Sequence, residues 1–566
     1  MNKTKPFLPT RNYLYPHQYA LCFIAITMTS LLLFTSARIA WACDDAFINF
    51  RTIQQFFSGN GLRFNLTDRV QAYTSPLWLF LQCLFRPAEN NEFINAIALS
   101  MILNTCMITA LWLHIKELTT FTLATGLMLL STAVMEFMTS GLEYPLIFFL
   151  VILFFSKYIS FYKNPSSRAL LHISCIAGMM LVTRHDLLIT IAFPLAHIAI
   201  ITQKNKLSCK KSLLILILPL AAWTIFSLVY YGVPFPNTAY AKLGLGNIPK
   251  LQILEQGIVY FMMGLQLDPV SIGILIVAIL SGITHKNTAF KITSLSILTA
   301  VFYILWIGGD FMMGRFYAHL VLLSILLIST LCNQESSIWQ KHKKMQFAAL
   351  AVWILLIAIQ PLTPLRNQTI MTDPNIDIGS HRISWERSVW SRFMSLSIYL
   401  KEGREKFPYG TPFDEMRQYF SQQKYTENMP IIAIGGASYL APLDFYINDE
   451  IALTDFFRAR MPMQYRYWLT AHTSRFYPEG YPAALLDNKV QLTDPNLNAY
   501  LQIIKTFTQS DALFTRNRLL TILEFNMGKY DYLLEQATTL PKWEKSEIFN
   551  TACTHKWVLE RWITRW

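Results

Sequence analysis

Residues 19–51 read YALCFIAITMTSLLLFTSARIAWACDDAFINFR, an apolar run followed at once by two adjacent acids. The apolar run continues over about residues 18–39, which is long enough to cross a bilayer core as a helix. A cleaved signal peptide is the alternative, but no small-x-small cleavage site precedes the acids and many apolar runs follow. The stretch therefore predicts an uncleaved first membrane helix that ends beside Asp44 and Asp45.

The rest of the chain continues this apolar pattern. Of its 566 residues, 53% are hydrophobic and 15% are charged, whereas ordinary soluble domains carry about 25% charged residues. The apolar runs fill residues 1–363 and thin out over 364–566, which predicts a polytopic α-helical membrane domain followed by an α/β domain with its own core. Eleven spans are expected, at about 18–39, 92–113, 119–137, 144–162, 168–184, 186–202, 212–231, 268–283, 292–308, 316–332 and 346–363. The segment 76–85 is too short to span and is expected at the interface or as a re-entrant segment.

The net charge of +13 indicates membrane topology rather than a nucleic-acid partner. From residue 364 onward lie 23 of the 48 Lys and Arg and 22 of the 35 acids, so the membrane part carries the excess. With the N-terminus in the cytoplasm, the short cytoplasmic loops hold 16 basic residues against two acids. This positive-inside bias places the loop after the first helix and the whole C-terminal domain on the periplasmic side of the inner membrane.

Cysteine and metal signals are weak. The eight cysteines show no CxxC or His/Cys ligand spacing, and Cys553 is the only one after residue 363, which excludes an internal disulfide there. Asp44, Asp45 and Asp310 could share a divalent cation, Mg²⁺ or Mn²⁺, although carboxylates without further ligands indicate such a site only weakly. No other cofactor is expected.

Polar groups recur at the outer ends of otherwise apolar helices. They lie at 44–45, 59–78, 139–145, 183–186, 230–242 and 308–315. Charged groups near membrane depth are costly and generally pair with each other or face a cavity, so their position on one side predicts one shared outer cavity. Each group has a structural alternative: solvated helix ends for the acids, headgroup anchors for the arginines of the first loops, a helix cap for Glu143, and an interhelical turn for 184–186.

These residue types suit chemistry on a lipid-phosphate-linked sugar. Asp44 or Asp45 can accept a proton from an attacking hydroxyl. Three basic residues are candidates to bind the phosphate leaving group, namely Arg184, Lys242 and Arg315. Hydrogen bonds to a sugar are available from Asn65, Tyr73, Asn237 and Tyr240. The apolar segment PLWLFLQCLF (76–85) can line a lipid groove.

The ordered motifs also resemble those of a known family. DDAFINFR, GNGLRFN, DRVQAYTSPLW, TSGLEYPL, LVTRHD, YYGVPFPNTAYAK and GGDFMMGRF are similar to the signatures of a bacterial GT-C glycosyltransferase family, best known for the terminal β-(1→2)-arabinofuranosyltransferase of the mycobacterial envelope. IGGASYLAPLDFYINDEIALTD (434–455) and AHTSRFYPEGY (471–481) continue the likeness. The resemblance implies a GT-C fold, a polyprenyl-phosphate sugar donor, a glycan acceptor outside the cytoplasm, and an essential acid at Asp44 or Asp45. It also implies substrate contacts at Arg51, Asn65, Arg69, Tyr73, Glu143, Asp186, Asn237, Asp310 and His472.

Two departures from the family pattern concern the substrate. Gln71 stands where relatives more often have an acid, and His185 stands where proline is more usual, so the transferred sugar stays open. Two other classes of protein compete with the glycosyltransferase. A transporter or flippase of lipid-linked sugars needs polar groups at the membrane midplane and on both sides, and a glycan sensor leaves the paired acids unexplained. The expected function is glycosyl transfer to a cell-envelope glycan, such as lipopolysaccharide.

Overall fold

The computed structural model describes residues 16–86, 91–243, 248–334, 383–422, 431 and 433–550. Helices dominate both parts of the chain. The helices up to residue 334 are α1 (Pro16–Arg38), α2 (Asp44–Phe57), α3 (Pro76–Phe85), α4 (Glu92–Ile115), α5 (Leu118–Leu130), α6 (Thr132–Phe137), α7 (Tyr144–Lys163), α8 (Ser167–Thr183), α9 (Leu187–Lys204), α10 (Lys210–Tyr231), α11 (Asn237–Leu243), α12 (Lys250–Leu267), α13 (Pro269–Thr284), α14 (Thr288–Trp306) and α15 (Arg315–Gln334).

The protein is a polytopic helical membrane protein. Among the described residues, seven helices are long and apolar enough to cross a membrane, namely α1, α4, α7, α9, α10, α14 and α15. The pair α12 and α13, bent by 112°, adds an eighth if it is counted as one span. The count of eleven stays a prediction, because α5 and α8 are apolar but shorter and the expected span at 346–363 lies outside the described residues. The apolar segment 76–85 forms the short helix α3, as its length predicts.

The expected span at 119–137 is broken at Ser131. This residue leaves the helical region, with ψ of 112°, and its hydroxyl accepts a hydrogen bond from the N–H of Val134 to begin α6. The same hydroxyl lies 2.6 Å from that of Ser271, and Asp268 accepts from the N–H of Ala133 at 2.9 Å. Two helix breaks therefore meet, and a side chain of one break accepts from a backbone N–H freed at the other, as the interior of a membrane requires.

Burial distinguishes central from peripheral helices. In α7 and α15, 78% and 67% of an 18-residue apolar stretch of the helix is buried inside the protein, whereas the shares in α1 and α10 are 22% and 17%. The outer helices expose large apolar side chains such as Phe23 and Ile225. Such an exposed apolar surface suits contact with lipid.

The C-terminal part is also mainly helical over the described residues. Its α-helices are Glu386–Met394, Leu396–Glu402, Thr411–Gln422, Ile434–Leu440, Ala483–Leu486, Pro495–Thr508, Arg516–Asn526 and Asp531–Gln536. Two short strands, β1 (Tyr467–Trp468) and β2 (Phe549–Asn550), pair in parallel. The α/β character expected for this domain is thus limited, in the described ranges, to this pair and isolated bridges such as Ile431 with Asp449.

Candidate active site

A cavity of about 170 Å³ lies where α2 meets the C-terminal part of the chain. The loop before α15, the end of α11 and several C-terminal segments complete its walls. Most of the lining is apolar, with a few convergent polar groups, which is the usual make-up of a ligand site. The titratable side chains that line it are Asp44, Asp45, Lys242, Glu386, Glu450, Tyr467 and His472.

Asp44 joins α2 to the C-terminal helix Ile434–Leu440. Its Oδ2 and Oδ1 accept hydrogen bonds from the N–H groups of Gly435 and Gly436, both at 2.8 Å. Position 435 requires glycine because a Cβ there would overlap the backbone oxygen of Asp44. Burial raises the pKa of Asp44 to about 7, and the two glycine donors limit the rise. Both of its oxygens are therefore engaged by the protein itself.

Asp45 is the carboxylate that opens on the cavity. Its Oδ2 accepts from Nη1 of Arg315 at 3.1 Å, and its Oδ1 accepts no hydrogen bond from any described residue. Arg315 is held in turn by Asp310, whose two oxygens accept from Nε at 2.5 Å and from Nη2 at 2.7 Å. Burial favours a raised pKa for Asp45, but the cations of Lys242 and Arg315 outweigh it, and the pKa lies below its ordinary value. Asp45 is therefore ionised near neutral pH.

Lys242 and His472 both pack against Phe311 and line the same cavity as Asp45. The Nζ of Lys242 lies 5.7 Å from the centre of the Phe311 ring, and within the described residues it forms no salt bridge or hydrogen bond. The His472 ring packs edge-on against Phe311, with centroids 4.2 Å apart. Burial lowers the pKa of His472 to about 4, so its imidazole is neutral near pH 7. The cavity thus combines an ionised carboxylate with an ammonium group that has no ion-pair partner in the part of the chain that the structure describes.

Arg184 belongs to a separate network. It donates to both oxygens of Asp186, at 2.9 and 2.7 Å, and to Glu143 at 2.9 Å. These residues lie beside the main cavity: Arg184 and Asp186 line a second, smaller one with His319. Arg184 and Arg315 both approach the Phe316 ring, at 5.6 and 5.2 Å from its centre. The guanidinium of Arg184 is thus engaged by two acids of the protein, and the substrate contacts expected of Arg184, Glu143 and Asp186 stay predictions.

Arg51 and Asn65 connect the membrane part to the C-terminal part through hydrogen bonds. The guanidinium of Arg51 is fully buried and donates to the carbonyl of Phe64 and to five carbonyls between residues 438 and 445. Asn65 exchanges two hydrogen bonds of 3.0 Å with the backbone of Ile447. Neither residue lines the cavity, and their side-chain donors are occupied by backbone carbonyls, so the substrate contacts expected for both stay predictions.

Three further predicted site residues are also engaged by the protein. Asn237 donates to three backbone carbonyls between residues 452 and 455. Arg69 donates to the carbonyls of Tyr230, Phe507 and Ser510. The Tyr73 hydroxyl is buried and lies 2.8 Å from the hydroxyl of Tyr231. None of the three lines the cavity, and their expected substrate contacts likewise stay predictions.

The cavity also contains titratable residues that the sequence analysis did not single out. Glu386, at the start of helix Glu386–Met394, is buried and faces the cavity beside Trp390. Glu450 accepts from the Ser474 hydroxyl at 2.6 Å. In the sequence, Glu386 is distinguished only by an aromatic residue four positions later, and this spacing is common on helix faces.

The described residues contain no group of three His, Cys, Asp or Glu side chains placed to hold a metal ion. Of the three candidates for a cation, Asp44 uses both oxygens on glycine amides and Asp310 uses both on Arg315. The expected trio with Asp45 is thus not assembled as a ligand set, and these contacts would have to rearrange for all three to bind one ion.

Comparison with known proteins gives two similar sequences. No protein-family model matches this chain. The terminal β-(1→2)-arabinofuranosyltransferase of Mycobacterium tuberculosis is 28% identical over 228 residues, which cover 37% of this chain and 36% of that protein. The enzyme of the same name from Corynebacterium glutamicum is 28% identical over 330 residues, which cover 51% of this chain and 47% of that protein. The match therefore spans at most about half the length of these relatives.

The similarity confirms the family resemblance of the motifs. The chain is a helical membrane protein that is similar in sequence to curated glycosyltransferases. The closest agreement between motif and geometry lies at the segments 44–51, 308–315 and 434–455, which meet around Asp44, Asp45 and Arg315. What those relatives act on is not transferred to this chain by similarity alone.

Proposed function

We propose that this chain is a membrane glycosyltransferase. It transfers a sugar from a polyprenyl-phosphate-linked donor to a cell-envelope glycan, a lipopolysaccharide or another polysaccharide, on the outer face of the bacterial cytoplasmic membrane. The observation that carries the proposal is Asp45, an ionised carboxylate that opens on a cavity shared with Lys242, a cation with no ion-pair partner among the described residues. The two similar arabinofuranosyltransferases support the reaction class.

In the proposed reaction, an acceptor hydroxyl attacks the anomeric carbon of the donor sugar. The bond from that carbon to the phosphate oxygen breaks, and the polyprenyl phosphate leaves with the electron pair. If the configuration inverts, Asp45 accepts the proton of the attacking hydroxyl as general base. Its free Oδ1 is the atom placed to do so.

The cations stabilise the charge that develops on the phosphate. Lys242 is suited to this role because phosphate would not have to displace a carboxylate from it. Arg315 adds a second positive charge and orients Asp45, while Asp310 fixes Arg315 through two hydrogen bonds. His472 reaches from the C-terminal part to the same wall and contacts the substrate as a neutral ring.

We assign residues 1–363 to the membrane domain and 364–566 to a periplasmic domain, with the N-terminus in the cytoplasm. The positive-inside bias supports this orientation. So do the contacts of α2, α11 and the loop 308–315 with C-terminal residues, because they require all these segments to lie on one side of the membrane.

Purified full-length protein tests the proposal when it is given a synthetic polyprenyl-phosphate sugar, labelled in the sugar, and an envelope glycan. The label is expected to move to the glycan while free polyprenyl phosphate accumulates. The same donor in proteoliposomes separates the transporter: movement of intact donor between leaflets without cleavage would contradict the enzyme. A chelator arm with Mg²⁺ or Mn²⁺ added back decides whether a divalent cation is required.

A further inference from the structure

Glu386 is a buried acid in the cavity with no cation paired to it among the described residues. It is 8% exposed and lies at the first position of helix Glu386–Met394. Its Oε2 accepts a hydrogen bond of 2.6 Å from the indole N–H of Trp390, one turn further along the helix. Both side chains line the cavity with Asp45.

The charges that face Glu386 favour its protonated form. Across the cavity are the two acids that begin α2, Asp45 and Asp44, and their negative charge adds to the effect of burial, which is the larger cause. The indole of Trp390 and the hydroxyl of Ser384 act in the opposite direction but do not balance them, and the pKa of Glu386 is raised to about 8. The cations Lys242, in the cavity wall, and Arg315 interact with Asp45.

A neutral carboxylic acid offers one O–H donor and one acceptor. The indole of Trp390 and the hydroxyl of Ser384 both donate to the carboxyl group, so the O–H of the neutral acid is left to donate to a ligand. A sugar hydroxyl can receive such a hydrogen bond, and a neutral acid does not repel the phosphate of the donor, as an ionised one would. An ionised Glu386 would add a further negative charge to the acids already facing an anionic substrate.

We propose that Glu386 positions the transferred sugar of the donor by donating a hydrogen bond from its neutral carboxyl group to a sugar oxygen. This inference rests on the proposed function and extends it: Lys242 binds the phosphate, Asp45 faces the attacking hydroxyl, and Glu386 holds the sugar between them. Glu386 is a positioning residue, since no bond to it forms or breaks. Trp390 keeps the carboxyl group oriented.

Binding measurements on purified full-length protein at about pH 7 test this role without requiring turnover. Two ligands are compared, a polyprenyl-phosphate sugar and the same polyprenyl phosphate without the sugar. Glu386→Ala is expected to weaken binding of the sugar-bearing lipid about ten-fold, the loss of one hydrogen bond, and to leave binding of the bare lipid unchanged. Glu386→Gln, which also carries a donor and no charge, is expected to bind both lipids as the unmodified protein does. The exposed Glu415→Gln is the matched control.

The pH dependence distinguishes a neutral acid from a structural residue. As pH rises through about 8, the unmodified protein is expected to lose its preference for the sugar-bearing lipid, whereas Glu386→Gln keeps it. Equal binding by Glu386→Ala and the unmodified protein, or equal weakening for both lipids, would overturn the role. So would a Gln variant as weak as the Ala variant. If the unmodified protein binds neither lipid, the donor class of the proposed function is what fails.

Discussion

Gly435→Ala should separate the C-terminal helix from the acid that anchors it. The added Cβ would overlap the backbone oxygen of Asp44 and lie 2.6 Å from its carbonyl carbon and 2.9 Å from Oδ2. Backbone atoms cannot turn aside as a flexible side chain can, so helix Ile434–Leu440 has to move away from α2. That movement breaks the two 2.8 Å hydrogen bonds from Gly435 and Gly436 to Asp44.

The expected cost follows from those two bonds. A hydrogen bond to a charged group contributes about 1.5–3 kcal/mol, so the variant should lose at least about 3 kcal/mol of unfolding free energy. Asp45 adjoins Asp44, so sugar transfer should fall as well. Thermal unfolding in detergent and proteolysis of the C-terminal part measure the first effect, and the transfer assay measures the second.

Gly273→Ala provides the matched control for this variant. It lies within α13, and a Cβ there meets nothing within 4 Å. Alanine is favoured over glycine inside a helix by about 1 kcal/mol, so this change should be neutral or slightly stabilising. Unfolding and transfer by Gly435→Ala at the level of this control would refute the link between Asp44 and the C-terminal helix.

Three further variants test other parts of the site. Lys242→Met should raise the KM for the lipid-phosphate donor at least about ten-fold with unchanged thermal unfolding, whereas the exposed Lys250→Met should change neither. Arg51→Lys cannot reach all the carbonyls that the guanidinium contacts and should lower the unfolding free energy by several kcal/mol, about 3 or more; Arg417→Lys, at the surface, is the control. The pKa of His472 is lowered to about 4, so below about pH 6.5 the unfolded chain binds the proton first and stability is lost as pH falls towards 4. His472→Gln should reduce that acid loss by up to about 3 kcal/mol, measured as unfolding free energy against pH; equal acid sensitivity would contradict the burial of this ring.

The membrane helices could be predicted because their cause is local. About twenty apolar residues in a row form a spanning helix whatever surrounds them, and the expected spans that fall on described residues coincide with helices. The break at Ser131 could not be predicted, since the partners of the Ser131 hydroxyl and of the Ala133 N–H are Ser271 and Asp268, which lie far away in sequence. The contact of Asp44 with the amides of Gly435 and Gly436 could not be predicted either, because these residues lie far apart in sequence.

The site was predicted less completely than the fold. Residue type alone could not separate Asp44 from Asp45, because their difference lies in which one points to Gly435 and which to Arg315. The backbone contacts of Arg51 and Asn237 could not be predicted for a similar reason: an arginine or asparagine bound to backbone carbonyls has no sequence pattern that distinguishes it from a substrate ligand. The ordered motifs predicted which segments of the chain form the site. The hydrogen bonds and ion pairs within the site distinguish one residue of a segment from the next.

The most direct test of the account is the rate of sugar transfer by purified Asp45→Asn beside Asp44→Asn. Asparagine at 45 keeps the shape of the side chain and can still accept from Arg315, but it cannot accept a proton, so transfer should fall at least about a hundred-fold while thermal unfolding is retained. Asp44→Asn should have the opposite effect. Its side chain offers one oxygen to two N–H donors, so the temperature of unfolding should fall, while the folded fraction still transfers sugar. Full transfer by Asp45→Asn, at a rate equal to that of the unmodified protein, would contradict the central claim that Asp45 is the reacting carboxylate.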